Sequence, residues 1–124
     1  MKPFIAIPMG DPAGIGPEIV VKALLKPEVL DVARCVVIGD RKIIEDAIRF
    51  TNAALKVKLI NKPEEGDYSA GILNLIDLDN VDMQEFVIGQ VSGMCGKAAF
   101  EYIEKSIELA NDGLVAAVAT TPIN

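Results

Sequence analysis

The chain has 124 residues, 51% of them hydrophobic, and a formal net charge of −6 at pH 7. This length predicts about one domain, and the negative charge argues against nucleic acid or an anionic membrane as a partner, because both bind basic surfaces. No apolar stretch approaches the ~20 residues of a membrane span, and no secretory signal precedes the first apolar run. We therefore expect a soluble, cytoplasmic protein.

The first elements are a strand, a glycine-rich loop and the start of a helix. Residues 4–8 are an apolar run that predicts the strand, and a loop containing Gly10, Gly14 and Gly16 follows. Pro17 suits the first turn of a helix, because its missing N–H would have no intrahelical partner there. This order is typical of phosphate and nucleotide sites in α/β proteins, in which glycine lets a ligand approach the backbone. A purely structural turn remains the alternative interpretation.

Two common nucleotide motifs are excluded by their spacing. Ile19 stands where a dinucleotide fingerprint needs its third glycine. Later in the chain, Val91 stands where a P-loop needs its first glycine, and Ala98 stands where it needs Ser or Thr. Neither motif therefore accounts for a nucleotide site in this chain.

Strands and helices alternate in the first half of the chain. The first helix is expected to end at Lys26-Pro27. Residues 35–38 predict a second, buried strand, and Asp40 is placed to cap a helix that carries apolar side chains from Ile43 to Phe50. Alternating residues from Leu55 to Ile60 predict a half-exposed strand near a sheet edge. This alternation favours a parallel sheet with right-handed crossovers.

The second half continues the pattern. Residues 72–78 predict another strand, and the acidic loop after it, with Asp77, Asp79 and Asp82, lacks the spacing of a calcium site. A long helix is predicted to begin after Gly96 and to run to about Asn111, with a Glu101–Lys105 pair and Gly113 at its end. Its predicted apolar face consists of Ala99, Tyr102, Ile103, Ile107 and Ala110. Residues 114–119 then predict a buried strand that leads to Thr120, so this loop and the glycine loop are expected to face one crevice.

Three blocks resemble a known enzyme family. Residues 10–18, Gly-Asp-Pro-Ala-Gly-Ile-Gly-Pro-Glu, resemble the opening signature of the 4-hydroxythreonine-4-phosphate dehydrogenases of vitamin B6 biosynthesis and their relatives acting on other phosphorylated hydroxy acids. Residues 89–99 are similar to the family's glycine-punctuated helix start, and residues 119–124 to its Thr-x-Pro-Ile-Asn-Lys loop. The resemblance implies an α/β fold with a mostly parallel sheet and flanking helices, like that of isocitrate and isopropylmalate dehydrogenases and here incomplete.

The family's activity, as the resemblance implies it, is oxidation and decarboxylation of 4-phosphohydroxy-L-threonine or a similar phosphorylated hydroxy acid. The implied cofactors are NAD or NADP and a divalent metal, such as zinc or magnesium, that polarises an oxygen. The family holds this metal with histidines, and the chain has none. Family members are longer, two-domain homodimers. We therefore expect residues 1–124 to be the amino-terminal part of such an enzyme, without catalytic or metal-binding residues and inactive alone.

The resemblance also implies site residues. The candidate cofactor-binding residues are Asp11, Gly14, Ile15 and Gly16, and the candidate substrate-binding residues are Thr120, Thr121 and Asn124. Ile15 is the first choice, because the isoleucine of this motif lies near the adenine in the related dehydrogenases. Asp11 has an alternative role, bracing the loop through backbone N–H groups. The threonines and the asparagine are also ordinary turn residues.

Two other functions stay open. The chain could be a non-catalytic nucleotide-binding, phosphate-binding or assembly module that keeps the glycine loop. It could also belong to another oxidoreductase of the isocitrate dehydrogenase-like group.

Overall fold

A computed structural model describes residues 1–86 and 92–120. The elements are β1 (Phe4–Pro8), α1 (Gly16–Ala23), α2 (Pro27–Val32), β2 (Arg34–Gly39), α3 (Arg41–Thr51), β3 (Lys56–Leu59), a 3₁₀ helix (Pro63–Glu65), β4 (Ile72–Asp77), α4 (Gly93–Asn111) and β5 (Ala117–Val118). The strands form one parallel sheet in the order β3-β4-β2-β1-β5. The predicted α/β fold is confirmed. No helix within the described ranges is long and apolar enough to span a membrane.

The strand order reverses at β1. From β1 the chain adds β2 on one side, goes on to β3 at the outer edge and returns to β4 between β2 and β3. Helix α4 then carries it to β5 on the other side of β1. Parallel crossovers are right-handed, so the helices of the outward and returning connections cover opposite faces of the sheet. Accordingly, α1 and α3 contact each other, whereas α4 contacts β1, β2 and β5. The point of reversal lies between β1 and β5.

The core is built on the central strands. Val36, Val37 and Ile38 of β2 are fully buried, and Leu73 and Leu75 of β4 lie beside them. A short continuous apolar run is typical of a parallel strand covered on both faces. The prediction of a buried strand at residues 35–38 is therefore confirmed.

The edge position predicted for β3 is also confirmed. Within the described residues β3 pairs only with β4, and Lys56 and Lys58 are exposed. The alternation differs in one respect, since Leu59 is exposed and Ile60, just past the strand, is buried. Ile60 takes the inward position, and its N–H is bonded to the carbonyl of Leu75 on β4 (2.9 Å).

Two helix boundaries differ from prediction. The short helix α2 is an addition to the predicted elements, because Lys26-Pro27 has the pattern of a helix stop. Pro27 instead occupies the first turn of α2, where its missing N–H costs no hydrogen bond. Helix α4 begins at Gly93, four residues before the predicted start, because the Ser92 side chain caps it by accepting from the N–H of Cys95 (3.1 Å).

The predicted face of α4 was partly wrong. The residues it buries are Cys95, Ala98, Ala99, Tyr102, Ser106 and Leu109. Ile107 is 50% exposed and Phe100 is 64% exposed. The predicted Glu101–Lys105 pair is absent from the described structure, because Glu101 accepts from Asn80 (3.1 Å) and Lys105 pairs with Glu108 (3.3 Å).

The last strand is shorter and more exposed than predicted. Only Ala117–Val118 pairs with β1, and Ala116 and Ala117 are exposed although Val115 is buried. The prediction of a buried strand over residues 114–119 was therefore wrong for most of its length. The physical reason is that the outer side of β5 has no neighbouring strand among the described residues.

Candidate functional site

The glycine loop is anchored at its base. The N–H of Met9, the first residue after β1, donates to the carbonyl of Ile38 in β2 (2.9 Å). Its fully buried side chain lies so close to Gly39 that a Cβ there would be 2.6 Å from the Met9 sulfur. Gly10 follows with φ of 81°, a conformation that glycine adopts without a steric penalty. The loop therefore leaves the sheet at Gly10.

Asp11 braces the loop. Its Oδ1 accepts from the N–H of Ala13 (2.8 Å), and its carbonyl accepts from the N–H of Gly14 (3.0 Å). The residue is only 6% exposed. This pattern is an Asx turn, which fixes residues 11–14 as one rigid unit. The bracing role of Asp11 is thus confirmed, whereas its cofactor contact stays a prediction.

The start of α1 is open to a ligand. Ile15 is the N-cap residue and makes no side-chain capping bond, and its side chain is 63% exposed. Gly16 and Pro17 are buried beneath it. The first N–H groups of a helix have no intrahelical partner and carry the positive end of the helix dipole. The segment from Gly14 to Gly16 therefore combines an exposed apolar side chain with an end of a helix suited to an anion.

The last described residue lies beside this loop. Strand β5 pairs with β1 in the register Ile5↔Ala117 and Ala6↔Val118, and the N–H of Ala119 donates to the carbonyl of Ala6 (2.9 Å). Thr120 therefore lies at the carboxyl end of the strand next to β1, at the same edge as the glycine loop. The predicted substrate residues Thr121 and Asn124 lie outside the described residues. The expectation that both loops share one edge is confirmed as far as Thr120.

A buried carboxylate organises the neighbouring strand end. Asp40, fully buried after β2, caps α3 by accepting from the N–H of Lys42 (2.8 Å), as predicted. Its second oxygen accepts from the N–H of Val81 (3.0 Å) and lies 3.3 Å from the Lys42 ammonium. Lys42 also pairs with exposed Asp79 (2.6 Å), which raises the pKa of the lysine and lowers that of Asp79. Asp40 thus holds the segment after β4 against α3.

The same segment is tied to α4. The hydroxyl of buried Tyr102 donates to the side-chain oxygen of Asn80 (2.7 Å), and the Asn80 amide donates to Glu101 (3.1 Å). Burial raises the pKa of the Tyr102 hydroxyl above its usual value. Sequence reasoning did not find this network, since residues 22 positions apart carry no local signal of contact. The cap at Asp40, which holds the same segment through Val81, was predicted because an N-cap has a local signature.

A small cleft of about 50 Å³ lies behind the glycine loop. It is mostly apolar and is lined by Pro12, Gly14, Pro17, Glu18, Ile43, Asp46, Ala47, Phe50 and Phe86. Its two carboxylates already have partners, Lys22 for Glu18 and Arg49 for Asp46. This volume holds a few water molecules. The cleft gives the loop an apolar wall on the side of α3.

The described residues do not fit a divalent metal. Among them no group of three His, Cys, Asp or Glu side chains is placed to bind one. Asp77, in the acidic loop whose spacing does not fit a calcium site, uses one oxygen to accept from the N–H groups of Arg41 (3.1 Å) and Asp79 (2.9 Å). Cys35 and Cys95 are free, buried thiols, and burial raises the pKa of Cys35. The described part of the chain therefore supplies no complete ligand set for a metal ion.

Sequence comparisons identify relatives. Residues 31–124 match the family described as pyridoxal phosphate biosynthetic protein PdxA. A Fusobacterium nucleatum protein provisionally named D-threonate 4-phosphate dehydrogenase is 59% identical over 124 residues. A Clostridium botulinum protein with the same provisional name is 53% identical over 123 residues. The chain spans 37% of the length of each relative.

Solved structures agree with this assignment. The 4-hydroxythreonine-4-phosphate dehydrogenase of Burkholderia phymatum matches the whole chain with a TM-score of 0.94 and 38% identity, over 37% of its own length. The enzyme of that name from Klebsiella pneumoniae matches with a TM-score of 0.91 and 35% identity, over 38% of its own length. A terephthalate 1,2-cis-dihydrodiol dehydrogenase from Burkholderia xenovorans matches with a TM-score of 0.80 and 27% identity, over 35% of its own length. The chain therefore belongs to the PdxA family of pyridoxal phosphate biosynthetic proteins.

Proposed function

We propose that residues 1–124 form the amino-terminal part of a two-domain, nicotinamide-dependent dehydrogenase that oxidises a phosphorylated hydroxy acid. The observation that carries the proposal is the parallel pairing of β5 with β1, because Thr120 and the glycine loop then flank the point where the strand order reverses. Ligands of open α/β sheets bind in the crevice at such a point. The dehydrogenase names of the relatives support the reaction class.

The proposed substrate is D-threonate 4-phosphate. Relatives named for this substrate are 59% and 53% identical to the chain, against 38% and 35% for structures named for 4-hydroxythreonine 4-phosphate. The two acids share a C4 phosphate, a C3 alcohol and a C1 carboxylate, and they differ only in the hydroxyl or amino group on C2. 4-Phosphohydroxy-L-threonine is the second candidate, favoured by the match to the pyridoxal phosphate biosynthetic family.

The shared groups define the chemistry. Loss of a hydride from C3 and of the hydroxyl proton gives a ketone β to the carboxylate. The C1–C2 bond then breaks, CO₂ leaves, and the electron pair left as an enolate is protonated at C2. NAD or NADP, when bound, supplies the acceptor for the hydride.

Each candidate residue has a proposed part in binding. Gly14 and Gly16 let a nucleotide approach the backbone, and Ile15 offers an apolar surface to its adenine ring. Asp11 holds the loop in its conformation and so supports cofactor binding indirectly. A direct contact between Asp11 and the cofactor is proposed as well. The Thr120 hydroxyl is proposed to bind the phosphate or a hydroxyl of the substrate, together with Thr121 and Asn124.

The remaining catalytic parts are proposed to come from elsewhere in the complete enzyme. This chain contains no histidine, and its described carboxylates and thiols do not converge on a metal position. The divalent metal implied by the family would therefore bind residues outside 1–124. We further propose that the complete enzyme is a cytoplasmic homodimer.

A chimera tests the proposal. Residues 1–124 would be joined to the remaining part of the Fusobacterium nucleatum relative, and reduced nicotinamide would be followed by absorbance with both phosphorylated acids and both cofactors. We expect activity, with kcat/KM for D-threonate 4-phosphate at least about tenfold above that for 4-phosphohydroxy-L-threonine. A folded but inactive chimera, beside an active parent, would refute the dehydrogenase proposal. The reverse preference would favour the second substrate.

Residues 1–124 alone are the matched control. They should form no reduced nicotinamide with either substrate, and calorimetry should detect only weak nucleotide binding, because one loop supplies a fraction of a cofactor pocket. Submicromolar binding by the isolated chain would favour the alternative of an independent binding module. A chimera that oxidises only unphosphorylated hydroxy acids would favour the other isocitrate dehydrogenase-like oxidoreductases, since one fold supports many substrates.

A further inference from the structure

The methionine at the base of the glycine loop occupies the space that a side chain at Gly39 would fill. A Cβ on Gly39 would lie 2.6 Å from the sulfur of Met9, 2.9 Å from its Cγ and 3.3 Å from its Cβ. Atoms in ordinary contact are about 3.5–4.0 Å apart, so the sulfur would have to move by about 1 Å. The φ angle of Gly39 is outside the left-handed region. This position therefore needs glycine for space and not for backbone conformation.

The strand is held more firmly than the methionine in this contact. Gly39 is buried in β2 and pairs with Asp77 of β4, and its carbonyl accepts from the N–H of Leu78 (2.9 Å). Strand β2 has a neighbouring strand on each side. The Met9 side chain is fully buried in the hydrophobic core, where close packing leaves few voids into which it could turn. An added methyl group at Gly39 would therefore displace the whole of Met9, and β2 would stay in place.

A displacement of Met9 would reach the candidate cofactor residues. Gly10 follows Met9, and residues 11–14 form the turn that Asp11 closes with two hydrogen bonds. Because this turn is one rigid unit, it would change its position without changing its internal shape. Ile15, the first candidate for the adenine contact, follows the turn directly. The contact between Met9 and Gly39 thus sets the distance of the glycine loop from the end of β2.

We propose that Gly39 is a positioning residue for the cofactor: the space beside it accommodates Met9, and Met9 determines where the glycine loop holds the nucleotide. Gly39 acts through Met9 and not through a contact of its own with the ligand. Its effect on the cofactor rests on the dehydrogenase function proposed above. Its effect on the position of the loop does not.

Two variants and their combination test the contact in the chimera. Gly39→Ala should raise the dissociation constant for NAD or NADP, measured by calorimetry, at least about tenfold, because a misplacement of about 1 Å is costly where the binding geometry is fixed. In the Met9→Ala background only the contact at 3.3 Å remains. There, Gly39→Ala should change the constant by less than about threefold. A general loss of stability would act equally in both backgrounds, so the difference isolates this pair.

Leu73→Ala is the matched control for stability. Leu73 is fully buried in β4 and pairs with Val57 of β3, and β2 separates β4 from β1 and the glycine loop. Truncating this side chain leaves a cavity in the core and should lower the melting temperature. It should leave the dissociation constant of the cofactor unchanged.

Hydrogen exchange followed by mass spectrometry measures the position of the loop without any activity. Residues 9–16 should exchange faster in Gly39→Ala than in wild type, because displacing Met9 weakens the bond from its N–H to Ile38. In the Met9→Ala background, Gly39→Ala should not change the exchange further. Unchanged exchange in Gly39→Ala, faster exchange without weaker cofactor binding, or an equal loss of affinity in both backgrounds would overturn the proposal.

Two other outcomes are also decisive. A wild-type chimera that is folded but inactive would refute the dehydrogenase function, and the exchange rates would still show whether Gly39 positions the loop. If Gly39→Ala does not fold, a folded double variant beside a folded Met9→Ala would support the proposal. An unfolded double variant beside a folded Met9→Ala would overturn it.

Discussion

Replacing Asp40, at the carboxyl edge of the sheet, should lower the free energy of unfolding of the chain. Its side chain is fully buried, and its two oxygens serve different partners, the N–H of Lys42 at the start of α3 and the N–H of Val81 in the segment after β4. Asp40→Ala removes both acceptors at once and leaves the Val81 N–H buried. Asp40→Asn keeps one acceptor and turns an N–H₂ group toward the other donor.

The expected cost follows from these two bonds. Loss of an N-cap lowers the free energy of unfolding by about 1 kcal/mol. A buried N–H left without an acceptor costs about 1–3 kcal/mol more. Asp40→Ala should therefore destabilise the chain by about 2–4 kcal/mol, which corresponds to a melting temperature lower by roughly 10 °C at this size. Asp40→Asn should lose about half as much, because one of the two acceptors survives.

Urea unfolding followed by circular dichroism measures this order. The midpoint should fall from wild type to Asp40→Asn to Asp40→Ala, with an unchanged m-value. Asp31→Ala, at an exposed aspartate on α2, is the matched control and should stay within about 0.5 kcal/mol of wild type. If Asp40→Asn were as stable as wild type, or Asp40→Ala lost less than about 1 kcal/mol, the two-acceptor argument would be refuted.

Two further predictions concern the glycine loop and the far side of the sheet. Ile15→Asp in the chimera should weaken NAD or NADP binding at least about tenfold, because it sets a charge against an apolar ring, and unchanged affinity by calorimetry would contradict the proposed contact. Burial raises the pKa of Tyr68 from 10.0 to about 12. The folded state favours the neutral hydroxyl, so the contribution of Tyr68 to stability is fully present below pH 10 and is lost as the pH rises toward 12. Urea midpoints should therefore drop over that range, and they should drop less in Tyr68→Phe.

Local signals were sufficient for much of the fold. The apolar run before the glycine loop, the cap at Asp40 and the lysines of β3 each indicate an element through chemistry within a few residues. The parallel sheet followed from the alternation of these elements. The bracing role of Asp11 was available for the same reason, since its acceptor bonds reach only to Ala13 and Gly14.

The errors occurred where distant residues decide. Pro27 can stop one helix or start another, and its neighbours in the sequence do not separate the two outcomes. Helix α4 is apolar on two sides, so its periodicity could not indicate which side lies on the sheet. The sequence could not show that Glu101 does not pair with Lys105, because its actual partner, Asn80, comes from another segment. That Thr120 lies at the same edge as the glycine loop depends on the strand order, which pairs β5 with β1.

The anchoring of Met9 has a consequence for motion. Its backbone is bonded to Ile38 and its side chain fills the space over Gly39, so the chain up to Met9 moves with the sheet. Residues 11–14 are closed on themselves by Asp11 and move as one piece. Gly10 joins these two units, and the loop is held again at its far end by Gly16 and Pro17, which are buried. A ligand bound at this loop would therefore meet a turn that is already formed and has little freedom to move.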